Sequence, residues 1–335
     1  PQRVFVQLEA TPWVWRVRWT PTRPGRWTGR LRLDAAMTRW RRQAEESFGP
    51  IAVADDRDAP GFLVAPGPAE NPAYLRETRP DGGSRALWLF GACRAWVVKS
   101  DPEAGIWGAD EGIDREKDLF PLLRSGGYNL LNQWMAPWEY MLVHHDRAEY
   151  WRRPGGEWAR HPLPPNAPWS PWQWYDQGRA RDFDALLEQC RDGALVRLLL
   201  SPLPHVALQN RSHPWNPAES NWTPEENPDR GNPEKCNGFS AFRAGMTVWD
   251  FLAADPAAPQ EDWRSQLFDH QANFWRYLIA RWGASPALGV WVLMDEMDGI
   301  GEVQSDWALK LGWWARPECD RWHANTLRLF RGELF

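Results

Sequence analysis

At 335 residues the chain exceeds one typical domain, so two domains are expected. Hydrophobic residues at 43% and charged residues at 25% exclude a disordered chain, and no apolar stretch approaches the about 20 residues of a membrane-spanning helix. The net charge of −5, with no basic stripe interleaved with aromatics, argues against nucleic acid as a partner.

Read in chain order, the first 65 residues or so carry a β pattern. Val4 to Leu8 alternates, as does Trp13 to Trp19, with aromatic and β-branched residues on one face. Pro21 to Gly25 is a turn, Trp27 to Leu33 a further strand, and Phe62-Leu63-Val64 closes the region before a Pro-rich stretch. The polar segment 34–48 fits a helical insert or a long hairpin excursion. Short alternating strands separated by turns predict a β-sandwich over residues 1–70, incomplete at its N-terminus.

The rhythm changes after Pro80. Ala86 to Gly91 is a continuous apolar run, expected of a strand buried on both faces. A helix over 114–126 follows, stopped by Gly126-Gly127, then a strand from Tyr128 to Trp134 and a long loop rich in Trp and Pro. The same order of helix, strand and loop returns at 179–192, Leu195 to Leu200 and 201–245, and then at 261–282 and Leu288 to Met294. Long loops after the strands and short returns from the helices are the pattern of a parallel sheet built as a (β/α)8 TIM barrel. Residues 71–335 would supply its first four βα units. A doubly wound open sheet is the alternative; Gly91-Ala92-Cys93-Arg94 stands where its Gly-rich phosphate fingerprint would be.

The chemistry-bearing feature is the end of the fourth strand, Met294-Asp295-Glu296. Two carboxylates closing an apolar strand are costly unless they face a solvated cleft. There, crowding raises a carboxyl pKa and suits a general acid. The structural reading has Asp295 capping the next helix and Glu296 paired with an arginine. The 26 Trp divide in the same way, between pinning loops and presenting flat faces to sugar rings. Trp134 and Trp138 after strand two, His205 after strand three and Trp222 in the third long loop lie where a substrate would sit. The four cysteines show no metal-binding spacing, and a metal site from Asp295, Glu296, Asp298 and His205 suffers because neighbouring strand residues diverge.

The segment Phe274-Trp275-Arg276-Tyr277-Leu278-Ile279-Ala280-Arg281-Trp282-Gly283-Ala284-Ser285-Pro286, leading into Trp291-Val292-Leu293-Met294-Asp295-Glu296, resembles clan A glycoside hydrolases. It is similar in particular to barrel enzymes that carry an N-terminal β-sandwich. The Pro24-Gly25-Arg26-Trp27 turn, Asn129 and His205 add to the likeness. The resemblance implies a retaining glycosidase acting on a β-linked poly- or oligosaccharide, with Glu296 as general acid/base and no metal or organic cofactor. It further implies a secreted or periplasmic location, and sugar contacts from Asp295, Asn132, Trp134, Trp138, His205 and Trp222. Asp295 stands where the family carries Asn, and Asn132 where many members carry Arg. The family's nucleophile ends a seventh strand, which is expected to lie in a missing segment or in a second chain completing strands five to eight. A non-catalytic carbohydrate-binding or structural protein reusing the barrel is the alternative.

Overall fold

The structure is a computed structural model that describes residues 6–8, 15–33, 44–56, 58–68, 74–94, 99–100, 107–108, 112–135, 142, 150–152, 158–160, 175, 177–192, 195–202, 252–295 and 317–333. The chain divides into two units: Trp19–Leu89, and a larger one made of Pro1–Arg18 together with Phe90–Phe335.

The larger unit opens with an antiparallel pair, β1 (Val6–Leu8) and β2 (Trp15–Val17). The smaller unit follows. Its first sheet is the antiparallel pair β3 (Gly25–Leu33) and β4 (Ala44–Val53); β4 takes up 44–48 of the polar segment expected to be a helix or a long excursion, and 34–43 lie outside the described residues. Register shifts between Trp27 and Gly29, and the Phe48 ring lies over Gly29, filling the space a side chain there would take. The second sheet is an antiparallel meander of β5 (Leu63–Val64), β6 (Leu75–Thr78) and β7 (Ser84–Leu87). Glu77, only 4% exposed in β6, is held across the strands by Arg85 at 2.6 Å.

The chain re-enters the larger unit through β8 (Gly91–Arg94), then a short pair, β9 (Lys99–Ser100) with β10 (Trp107–Gly108). Helix α1 (Gly112–Ser125) leads into β11 (Leu130–Trp134). Its end follows from two glycines: Gly127 takes φ 74°, Gly127 N–H bonds the Arg124 carbonyl, and Tyr128 N–H bonds that of Leu123. A second short pair, β12 (Tyr150–Arg152) with β13 (Trp158–Arg160), precedes α2 (Gln177–Arg191) and β14 (Arg197–Ser201). Helix α3 (Trp263–Trp282), β15 (Leu288–Trp291) and α4 (Pro317–Phe330) complete the chain. Asp262 caps α3 by accepting the Arg264 N–H at 2.8 Å, and the Arg264 side chain bonds it in return. Those bonds hold the Asp262 carboxyl down at about 2.

Strands β8, β11, β14 and β15 form one parallel sheet in that spatial order, each a neighbour of the next in sequence. Period-two alternation separates its faces. Leu131, Leu198 and Leu200 point to the core built by the helices, where Phe120, Phe183, Trp275, Trp282 and Trp322 are each at most 2% exposed. The opposite face carries Cys93, Asn132, Trp134, Leu199 and Ser201. Between α2 and α3, Asp184 takes Arg281 at 2.6 and 3.1 Å and the Trp282 indole at 2.7 Å, with Arg18 at 3.7 Å.

This architecture corrects the expected fold class. The described residues form a mixed α/β arrangement of four helices and small sheets: neither a (β/α)8 barrel nor a β-sandwich is present among them. N-terminal strands are present, but they pair as two-stranded sheets and a three-stranded meander. The Ala86 to Gly91 run is no doubly buried strand either. Its first half closes the antiparallel meander, Trp88 and Phe90 are 66% and 48% exposed, and the parallel strand begins only at Gly91. The helix–strand rhythm after it identified the parallel layer, but that rhythm is common to closed and open sheets.

Candidate functional site

The carboxyl ends of three adjacent parallel strands meet at Asp295. Trp134 is the last residue of β11 and pairs in register with Ser201, the last of β14. The backbone ladder continues past both strands, with Met135 N–H on the Ser201 carbonyl and Val292 N–H on that of Leu200. Asp295, four residues beyond the end of β15, is thereby brought across the same edge. Its Oδ2 accepts the Trp134 indole N–H at 2.6 Å and the Ser201 hydroxyl at 3.0 Å.

The chemistry of this junction is that of a clamped carboxylate. Both donors give hydrogen bonds to a charged acceptor, the stronger kind. Trp134 is 3% exposed and Ser201 is fully buried, so both donors are held by packing. Glu296, with the segment that Asp295 was expected to cap, lies outside the described residues, whereas Asp295 gives its Oδ2 to donors from two strands. It ties β11, β14 and the segment after β15 together, and the chain's next residue is Glu296.

Asn132 lies two residues before Trp134, on the same face of β11. Its Nδ2 donates to the Cys93 thiol of the neighbouring strand at 3.5 Å, and its buried Oδ1 has no hydrogen-bond donor among the described residues. The sheet thus brings Asn132, Trp134 and Asp295 to one edge. Glu296, Trp138, His205 and Trp222 lie outside the described residues.

Ser201 was not anticipated from sequence. The signal was available: a small hydroxyl residue directly after Leu195 to Leu200, at the carboxyl end of a buried strand, where side chains project toward a ligand edge. The motif that carries the glycosidase likeness also has structural work. Trp275 and Trp282 fill the core, Arg281 is the ion-pair partner of Asp184, and Gly283 terminates α3 with its N–H on the Ile279 carbonyl. Such a motif constrains a helix–strand connection as much as a site.

No group of three or more His, Cys, Asp or Glu side chains placed to hold a metal occurs among the described residues. Cys93, Cys190 and Cys319 form no disulfide, and no described helix is long and apolar enough to cross a membrane. The chain matches no protein-family model, and neither the curated proteins nor the solved structures yield a match to it.

Proposed function

We propose that the carboxyl edge of the parallel sheet is a carbohydrate-processing site in which Glu296 serves as general acid/base in hydrolysis of a glycosidic bond. The observation that carries this reading is the Asp295 clamp: two buried donors from two neighbouring strands fix the residue that precedes Glu296. In parallel α/β sheets ligands bind outside the carboxyl ends of the strands, which is the edge in question. Asn132 adds, on the same face, an amide oxygen with no donor among the described residues, able to accept a hydrogen bond from a hydroxyl.

In the mechanism assigned here, Glu296 protonates the leaving glycosidic oxygen and then takes a proton from the attacking water. Asp295 is a positioning residue that acts through the backbone it anchors. A second carboxylate, outside the four parallel strands described, would attack the anomeric carbon. The family likeness of 274–296 adds a retaining outcome on a β-linked substrate.

The test is a panel of aryl β-glycosides and β-linked oligosaccharides with the wild-type chain and Glu296→Gln. Wild-type turnover that falls by about 10²–10⁴-fold in the variant, and is recovered with azide on substrates carrying good leaving groups, supports the assignment. Turnover unaffected by the substitution sinks it. A non-catalytic saccharide-binding role is favoured by one observation, the commitment of Asp295 Oδ2 to two protein donors. Saccharide affinity without turnover in the wild-type chain is the result that reading expects.

A further inference from the structure

The Trp19–Leu89 unit holds a cleft of about 200 Å³ between three of its loops. We propose that this cleft is a second binding site, one that takes a carboxylate-bearing saccharide through Arg23 and Arg79. The recognition of a carboxylate stands on the arginines alone; the saccharide part rests on the function proposed above.

Three charged residues line the cleft: Arg23, Arg79 and Asp56. Two of them are arginines. These two have no ion-pair partner among the described residues. Arg23 rests on the Trp27 ring with its guanidinium carbon 5.6 Å from the ring centre. Asp56 turns one oxygen back onto the Asp58 N–H at 3.1 Å. The lining therefore keeps a net positive charge. A planar guanidinium offers paired N–H donors that match a carboxylate.

The cleft is also held in shape. Pro21, Pro24, Pro60 and Pro80 fix φ along all three loops. Thr78 N–H bonds the Phe62 carbonyl at 2.9 Å, and Phe62 N–H bonds the Thr78 hydroxyl at 2.9 Å, locking two of the loops together. Phe62 itself lies in the lining, and an aromatic ring suits the C–H face of a sugar. A preformed site loses little entropy on binding.

The experiment is calorimetric titration of the full chain with three probes: a galacturonate trisaccharide, its full methyl ester and inorganic phosphate. The ester keeps the sugar and removes the charge. The proposal expects binding of the acid form, at least about tenfold weaker binding of the ester, and a loss of about tenfold or more in Arg23→Gln and Arg79→Gln. Both substitutions are near the surface, so an unchanged thermal midpoint certifies the fold. Equal binding of acid and ester, binding of phosphate alone, or full affinity in both variants overturns it. Binding is read without turnover. Uronate affinity in a chain that hydrolyses no glycoside would therefore retire the Glu296 assignment and leave this one standing.

Discussion

Trp134 has a single N–H to give, and Asp295 receives it at 2.6 Å in a place where the indole is nearly sealed from water. Trp134→Phe keeps an aromatic side chain, deletes the donor and removes part of the buried indole. Loss of one hydrogen bond to a charged acceptor is expected to cost about 1.5–3 kcal/mol, visible as a lower urea midpoint with an unchanged slope. Asp184 is a different case. It neutralises Arg281, which is 2% exposed, and also takes the Trp282 N–H. Asp184→Asn leaves that guanidinium buried without its counter-charge, and the expected loss is about 3 kcal/mol. A stability unchanged within about 0.5 kcal/mol would mean that water reaches Arg281 in solution. Neither carboxylate's partner could be read from sequence. Trp134 and Asp295 lie 161 positions apart, and only the strand register brings them together.

Elements were legible where local rules decide them. The helices end at or next to the residues that the capping rules select: Gly126-Gly127 after α1 and Gly283 after α3. The three later parallel strands coincide with the expected apolar runs, although β15 stops at Trp291 and not at Met294. What local rules do not decide is how sheets combine. Closure into a barrel depends on strand number and stagger, and stacking into a sandwich on faces that meet; neither leaves a mark on one strand's alternation. The same limit applies to the site, where Asp295 was visible as a carboxylate at a strand end but its donors were not. At this scale Gly61 gives a sharp test. A Cβ there would lie 1.8 Å from the Thr78 carbonyl oxygen, an overlap that only a backbone shift between the β5 and β6 arms relieves. Gly61→Ala is expected to cost about 1–3 kcal/mol and to broaden amide resonances of residues 61–64 and 75–78.

For the whole molecule, acid is the informative variable. Burial holds the His270 imidazole down to about 4, below its ordinary 6.5, because the neutral ring is favoured in the interior. A group with a depressed folded pKa lends stability in full above its unfolded value and loses it as pH falls toward the folded one. Between pH 7 and 5 the chain should lose up to about 2 kcal/mol from this residue, and His270→Gln should flatten that part of the profile. An identical slope in the variant would assign the loss to other groups. Asp262 acts later in the same direction, its contribution falling only below its usual 3.8 toward about 2. The division of the chain into two units has a consequence of another kind. Arg18 belongs with Asp184 and Arg281, and β1 lies against α3, yet the whole of Trp19–Leu89 is synthesised in between. At about 5–20 residues per second, a ribosome emits the inner unit complete while the first hairpin waits roughly 15–50 s for the helix it will join. Strands β1 and β2 therefore meet their partner helix only after the inner unit has emerged, and a nascent chain stalled before residue 263 carries them unmatched.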